Sequence, residues 1–295
     1  MRAAGKVRAP LAAALLGLIL LAAAPAAQAQ KAGGGRGGDA VAVGKGGAAA
    51  SVDPKATEAA LRVLRKGGNA VDAAVAAAGV LGVTEPYSSG IGGGGFMLIR
   101  LPNGRIRTID GRETAPAAMT SRSFFEDEEP LPFDPARYSG LSAGVPGTPA
   151  TWDMALRRYG TTSLRKALRP GAKVARDGFR VDRTFFEQTA ENASYFDDVP
   201  STAAIYLDEN GSPRDIGDTI RNPDLARAYG RIGRLGAPGF YEGPIAAATA
   251  ATAQNPPLGP AADHAFRPGL MTAGDLASYR AVGRPPTRVL SLIHI

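Results

Sequence analysis

The 295-residue sequence predicts an α+β fold, and three observations lead to that class. Two helices with clear start and stop signals come first. A hairpin of two strands follows between residues 96 and 110, and from residue 148 onward the apolar spacing is mainly helical. Strands and helices are therefore grouped along the chain and do not alternate as repeated βαβ units, which is the order typical of α+β layers.

The first thirty residues have the composition of an export signal. Three basic residues precede the apolar run LAAALLGLILLAAA, and small residues surround a cleavage point after Ala29. Pro25 interrupts the apolar run before it reaches the length of a membrane anchor. We therefore expect residues 1–29 to be a cleaved signal peptide, and the mature protein to be periplasmic or secreted without stable membrane insertion.

Composition excludes several classes of protein and of site. Loss of the signal removes three basic residues, so the formal net charge falls from +7 to +4, and no nucleic-acid partner is expected. The absence of cysteine excludes disulfides, a thiolate nucleophile and a cysteine zinc site. The glycine-rich residues 30–39 are predicted to form a flexible linker, and residues 40–286 one large globular region.

Two helices with clear start and stop signals are predicted near the start of the globular region. Asp53 is a natural N-cap ahead of Pro54, and Gly67 provides the stop. Asn69 caps the second helix, with Asp72 at the capping-box position. This second helix, AVDAAVAAAGVLGV, is apolar on nearly every side and should be buried. Because capping explains Asn69 and Asp72, neither is assigned a catalytic role.

A glycine cluster and a hairpin follow the second helix. The four consecutive glycines at 92–95 let two backbones approach closely, and we assign them to packing. Residues 96–101 and 105–110 are predicted strands joined by a tight turn at Asn103-Gly104. The pattern also predicts a short strand from Ala40 and three later helices, over 148–160, 163–178 and 222–236.

Few residues in the sequence are candidates for chemistry. Tyr87, Ser88 and Ser89 form a cluster of hydroxyls, but no base lies near them in sequence. A serine triad would have to use His264 or His294, which is unfavourable, and the scattered histidines and carboxylates lack metal-ligand spacing. No metal and no cofactor are expected.

A series of motifs in order along residues 40–286 resembles the γ-glutamyltranspeptidase family, also called glutathione hydrolases. The most specific stretch is LRKGGNAVDAAVAAAGVLGVTEPYSSGIGGGGFMLIR at 64–100. Further matching stretches are DGRETAPAAM at 110–119, GVPGTPATWDMALRRYGT at 144–161, KVARDGFRV near 173, GDTIRNPDLARAYGRI at 217–232, GFYEGPIA at 239 and MTAGDLASYRAVGRPP at 271–286.

The resemblance implies a four-layer αββα fold of the N-terminal nucleophile hydrolases. The precursor cuts itself into a large and a small subunit, and a threonine at the new N-terminus of the small subunit attacks the γ-glutamyl amide of glutathione or another γ-glutamyl compound. The acyl group then passes to water or to an amino-acid or peptide acceptor. These residues would be most of the large subunit, so no catalytic residue is assigned in this chain, which alone should be inactive.

Arg112, at the exit of the hairpin, is the one site residue that the resemblance assigns. From the residue alone, an ion pair with Asp110 or Glu113, or a solvated surface charge, is the favoured interpretation. The family motif instead implies that Arg112 binds the α-carboxylate of the γ-glutamyl group, for which a planar guanidinium offers two parallel donors.

Two alternative functions remain open, and so does the end of the family-like region. A related acylase, acting on β-lactam side chains or on polyglutamate, would share the fold and the nucleophile. A non-catalytic exported binding protein would keep the scaffold without the chemistry. After Pro286 the sequence departs from the family pattern, so residues 287–295 are treated as a doubtful, artefactual tail.

Overall fold

The structure, a computed structural model, describes residues 43–290. The predicted signal peptide, the linker at 30–39 and residues 291–295 lie outside that range. The helices it contains are α1 Pro54–Arg65, α2 Ala70–Thr84, α3 Phe133–Arg137, α4 Thr148–Tyr159, α5 Leu164–Asp177, α6 Arg183–Phe196, α7 Pro200–Tyr206, α8 Pro223–Leu235, α9 Pro238–Tyr241, α10 Pro244–Gln254 and α11 Ala273–Ser278.

The strands form one three-stranded sheet and two short antiparallel pairs. Their bounds are β1 Gly95–Arg100, β2 Ile106–Gly111, β3 Phe125–Glu126, β4 Glu129–Pro130, β5 Phe179–Arg180, β6 Thr219–Ile220 and β7 Val282–Arg284. In the larger sheet the order is β1-β2-β7, and both pairings are antiparallel. The short pairs are β3 with β4 and β5 with β6. The α+β class is confirmed, whereas the four-layer arrangement remains an expectation from the resemblance.

The two early helices begin and end where their capping residues predict. The side chain of Asp53 accepts a hydrogen bond from the backbone N–H of Ala56 at 2.8 Å. Asn69 and Asp72 form the complete capping box at the start of α2. Gly67 follows α1 with a φ of +85°, the left-handed conformation that ends a helix without strain.

The predicted hairpin is confirmed within one residue at each strand. Strands β1 and β2 pair from Gly95 opposite Gly111 to Arg100 opposite Ile106, with Asn103-Gly104 in the turn. The third strand, β7, was not predicted, and it joins β2 through Thr108 opposite Arg284. Three residues give too short a pattern to identify as a strand without knowing its partner.

Helix α2 lies in the core, as its apolar composition predicts. Ten of its residues are buried, and α2 packs against α1 on one side and α5 on the other. Helix α5 in turn packs against α8. The later helices α4, α5 and α8 match their predicted ranges, with Ser163 and Asn222 as N-caps of α5 and α8. Ala74 and Ala78 of α2 line the cleft described below.

Most of the short strand predicted from Ala40 lies outside the described residues. Residues 43–50 contain a bend at Lys45-Gly46, and Val43 is 97% exposed. The described part of the tail, 287–290, has no regular structure. None of the helices between residues 43 and 290 has both the length and the apolarity that crossing a membrane requires.

Candidate functional site

A cleft of about 740 Å³ opens beside the glycine cluster. Its wall is formed by the turn after α2, the start of β1, the exit of β2 and the first turns of α4. Arg112 and Glu113 line the cleft together with Ser88 and Ser89. The hairpin therefore brings the residue singled out in the sequence to a concave surface, where a ligand of small-molecule size fits.

The glycine cluster is fixed to the beginning of α4. The backbone carbonyl of Gly93 accepts hydrogen bonds from the N–H groups of Gly147 and Thr148 at 2.9 and 3.0 Å. It also accepts a hydrogen bond from the hydroxyl of Thr148 at 2.9 Å. Gly147 has no side chain to cap α4, so the carbonyl of Gly93 serves that purpose and ties the cleft wall to a buried helix.

The glycines of the cluster differ in what the fold requires of them. A Cβ on Gly94 would lie 2.4 Å from the carbonyl oxygen of Gly111 and 2.9 Å from the backbone nitrogen of Glu113. A Cβ on Gly92 would meet no atom within 4 Å. The assignment of the cluster to close packing thus holds for Gly94, whereas Gly92 lines the cleft without a packing reason for being glycine.

The backbone of Arg112 is held by side chains from two distant parts of the chain. Its N–H donates to Oδ1 of Asp110 at 3.0 Å, and its carbonyl accepts from the hydroxyl of Tyr279 at 2.7 Å. Asp110 is also bound by Nε of Arg284 at 2.5 Å. The N–H of Arg112 and the guanidinium of Arg284 hold the pKa of Asp110 below its usual value, so it stays ionised at neutral pH.

The guanidinium of Arg112 remains available although its backbone is fixed. Its side chain is 62% exposed, and Nη1 lies 3.0 Å from Oε2 of Glu113. This contact is an ion pair without hydrogen-bond alignment, since Oε2 of Glu113 receives no aligned donor among the described residues. Of the two ion-pair partners considered from the sequence, Glu113 is the one that Arg112 contacts, and Asp110 is engaged by Arg284.

In the hydroxyl cluster after α2, Tyr87 has a structural role. The Tyr87 hydroxyl is 2.6 Å from that of Thr189, and its ring packs edge-on against Phe185. Burial raises the pKa of Tyr87 to about 12, so the phenol stays protonated at physiological pH. Ser88 and Ser89 line the cleft, and no histidine is among the described residues that line it.

His264 lies in a separate cluster that the sequence spacing did not reveal. Its Nδ1 is 2.9 Å from Oδ2 of Asp198 and 2.8 Å from Oδ1 of Asp263. Ligand atoms of the three residues lie within 4.8 Å of one another. Asp198 also accepts the N–H of Asp263, so its oxygens are occupied by contacts that anchor the loop before residue 264. His294 lies outside the described residues.

Asp72 has a structural role that extends beyond capping. Its carboxylate is fully buried and accepts the N–H and hydroxyl of Thr161 and the N–H of Thr162, in addition to the N–H of Asn69. Burial alone would raise the pKa of Asp72, but these hydrogen bonds hold it below its ordinary value. Asp72 therefore joins the start of α2 to the turn between α4 and α5.

The contacts that position Arg112 could not be found from the sequence. Tyr279 and Arg284 are 167 and 172 residues away from it, and neither belongs to a local pattern around the hairpin. From the sequence, Glu113 is considered only as an ordinary surface ion-pair partner of Arg112. The one sequence signal for the contact between Arg112 and Glu113 was that two opposite charges are adjacent after a strand, and such pairs are common on protein surfaces.

Comparison with known proteins gives a consistent result for this cleft-bearing region. The γ-glutamyltranspeptidase family model matches residues 56–290. The chain is 40% identical over 243 residues to the glutathione hydrolase proenzyme of Escherichia coli strain K12, an alignment that covers 82% of this chain and 40% of the relative. It is 39% identical over 241 residues to the glutathione hydrolase proenzyme of Bacillus subtilis strain 168, covering 80% and 38%.

A solved structure agrees with the sequence comparisons. The crystal structure of Helicobacter pylori γ-glutamyltranspeptidase superposes with a TM-score of 0.76 at 34% identity, over 84% of this chain and 68% of that one. The 295 residues span 40% or less of the length of the two curated relatives.

Proposed function

The chain belongs to the γ-glutamyltranspeptidase family, and from that premise we propose that it forms the substrate-recognition part of a γ-glutamyltransferase and glutathione hydrolase. In this proposal it is most of the large subunit of a self-cleaving precursor and pairs with the small subunit of the same precursor. The substrates are glutathione and other γ-glutamyl compounds, and the acceptors are water, amino acids or peptides.

The observation that carries the proposal is that the backbone of Arg112 is held in place while its side chain is exposed on the cleft wall. Its backbone is bound by Asp110 and Tyr279, so the guanidinium starts from a fixed point on the cleft wall. Its side chain is 62% exposed and needs little desolvation before it meets a ligand. A guanidinium on a backbone held in this way can donate two parallel hydrogen bonds to a carboxylate, which orients the γ-glutamyl group as well as attracting it.

The chemical step is assigned to a threonine of the small subunit, as the family resemblance implies. Its hydroxyl oxygen loses its proton and bonds to the γ-carbonyl carbon, the amide C–N bond breaks, and the leaving amine takes up that proton. Water or an amino acceptor then releases the acyl group and restores the threonine. The contribution of Arg112 is to hold the α-carboxylate so that the γ-carbonyl faces the nucleophile, and the reaction needs no cofactor.

The proposed location is outside the cytoplasm. It rests on the basic, apolar and small-residue pattern of residues 1–29, which is typical of a signal peptide. In the periplasm or the medium the enzyme would break down extracytoplasmic glutathione. Absence of cysteine suits an oxidising compartment, because no thiol can be mispaired there.

Activity of the matured precursor that contains these residues tests the proposal. We expect release of glutamate from glutathione and from a γ-glutamyl anilide, with KM raised about a hundredfold in Arg112→Ala, since a bidentate charged contact contributes about 2–3 kcal/mol. Arg105→Ala, an exposed arginine in the same hairpin, is the matched control and should leave KM unchanged.

The 295-residue chain alone provides the second arm of this test. We expect it to release no glutamate, because the nucleophile is assigned to the small subunit. Appreciable turnover by this chain would place a nucleophile within these residues and contradict that assignment. An inactive matured precursor would contradict the enzymatic proposal as a whole and favour a binding protein.

A further inference from the structure

A large basic face lies on α5 and α8, away from the cleft. Helix α5 contains five arginines and lysines and one acidic residue, and helix α8 contains three arginines and one acidic residue. The two helices together carry a net charge of +6, while the formal net charge of the whole chain is +7, so the rest of the chain carries a net charge of only +1. Positive charge is therefore concentrated on two helices that pack together.

Helical spacing places the basic side chains of α5 on one surface. The buried residues of α5 are Leu164, Ala167, Leu168, Gly171 and Ala175. The basic residues occupy the opposite side, and all are exposed: Arg165, Lys166, Arg169, Lys173 and Arg176. With 3.6 residues per turn, these positions fall within an arc of about 100°.

Helix α8 adds a second basic row beside the first. Arg227, Arg231 and Arg234 recur at helical spacing and lie away from the buried Tyr229 and Ile232. The two helices run antiparallel: the N–H of residue 222 donates to the carbonyl of residue 175 at 2.8 Å, and a Cβ at position 233 would lie 2.9 Å from Cα of residue 165. The end of α8 is therefore adjacent to the start of α5.

The two ends of this basic face differ in charge compensation. At one end, Asp177 pairs with Lys173 and Arg176. At the other end no carboxylate of residues 43–290 lies within ion-pair distance of the four basic side chains Arg165, Lys166, Arg169 and Arg234. Leu235 is beside this uncompensated end and is 52% exposed.

We propose that the basic face binds the surface of an anionic phospholipid membrane. Uncompensated arginine and lysine side chains suit lipid phosphates, and the exposed Leu235 offers an apolar group that can enter the boundary of the acyl chains. A nucleic acid or another soluble polyanion would use the charges but would gain nothing from an isolated leucine. The proposal is independent of the γ-glutamyl chemistry, because no residue of this face lines the cleft.

Co-sedimentation of the full chain with lipid vesicles tests the proposal. We expect binding to phosphatidylcholine vesicles that contain phosphatidylglycerol, release by high salt, and little binding to pure phosphatidylcholine. The triple variant Arg165→Gln, Arg169→Gln, Arg234→Gln should bind the anionic vesicles about a hundredfold more weakly. Residues 1–29 are common to every variant and contain basic residues of their own, so the contribution of the face is the difference in binding to the anionic vesicles between wild type and variant.

A charge-matched control distinguishes an effect of the basic face from an effect of the total net charge. The variant Arg105→Gln, Arg183→Gln, Arg288→Gln removes three exposed arginines elsewhere and should retain most of the binding. Leu235→Ser should weaken binding about fivefold and leave the remainder fully reversible by salt.

Three outcomes would overturn the proposal. The first is equal binding to neutral and anionic vesicles. The second is an equal loss of binding in the control variant. The third is arginine-dependent binding to DNA with no preference for anionic vesicles, which would assign the face to a soluble polyanion.

Discussion

Asp72 and Arg112 differ in how many of the hydrogen bonds that their side chains can form are made within the protein. Asp72 is fully buried, and its two oxygens accept four hydrogen bonds from Asn69, Thr161 and Thr162. Arg112 is mostly exposed, and its guanidinium has one ion-pair contact, with Glu113. A charged group whose partners are all internal stabilises the fold, whereas one that is fixed only through its backbone keeps its side chain for a ligand.

The largest expected effect is loss of stability in Asp72→Ala. Removal of the carboxylate leaves three backbone N–H groups and one hydroxyl without their acceptor, which should lower the free energy of unfolding by about 4 kcal/mol. Urea denaturation of the chain measures this. Asp53→Ala, which removes only an N-cap, is the control and should cost about 1 kcal/mol. Equal losses in the two variants would show that Asp72 is a cap and nothing more.

The next effect concerns the glycines beside Arg112. Gly94→Ala places a methyl group 2.4 Å from the carbonyl oxygen of Gly111, and the resulting overpacking should cost about 2 kcal/mol. Gly92→Ala meets no neighbouring atom and should change stability by less than about 0.5 kcal/mol. Thermal or urea unfolding of the pair distinguishes packing from substrate contact. A stability loss at Gly92 as large as at Gly94 would contradict the distinction between them.

A smaller effect, dependent on pH, is expected from Thr161→Val. The variant loses the hydroxyl that donates to the Asp72 carboxylate at 2.5 Å, which should cost about 1.5 kcal/mol at neutral pH. Because the folded-state pKa of Asp72 lies below the ordinary 3.8, the stabilisation is present above pH 3.8 and is lost as pH falls through the folded pKa. The difference between wild type and variant should therefore shrink in acid. A difference that stays constant from neutral pH into acid would show that the carboxylate does not carry it.

The smallest expected effect is that of Arg112→Ala on stability. Exposed ion pairs contribute about 0–1 kcal/mol, so the free energy of unfolding should change by less than about 0.5 kcal/mol. Together with Asp72→Ala this is the sharpest test of the contrast between the two residues. A loss above 2 kcal/mol, on the order expected for a buried network, would mean that Arg112 is a structural residue.

The sequence predicted the parts of the fold that depend on neighbours in the chain. Helices α1 and α2 and the β1-β2 hairpin follow from caps, a glycine stop and an Asn-Gly turn, all of which act within a few residues. Arg112 was located correctly at the exit of that hairpin. These signals are local, so a single sequence is sufficient to detect them.

Contacts between distant segments could not be predicted in the same way. The pairing of β7 with β2 and the bond from Tyr279 to Arg112 join residues more than 160 positions apart. The same holds for Asp72, whose capping pattern was evident but whose bonds to Thr161 depend on how α2 packs against α4. Such contacts are decided by tertiary packing, on which a single sequence carries no direct information.

The central claim is that Arg112 binds the α-carboxylate of a γ-glutamyl substrate. The most direct test compares kcat/KM in the matured enzyme for a γ-glutamyl anilide and for the same compound with its α-carboxylate converted to a carboxamide. Wild-type enzyme should prefer the free carboxylate about a hundredfold, and Arg112→Ala should reduce that preference to about one. A preference that is undiminished in Arg112→Ala would show that another group recognises the carboxylate and would contradict the claim.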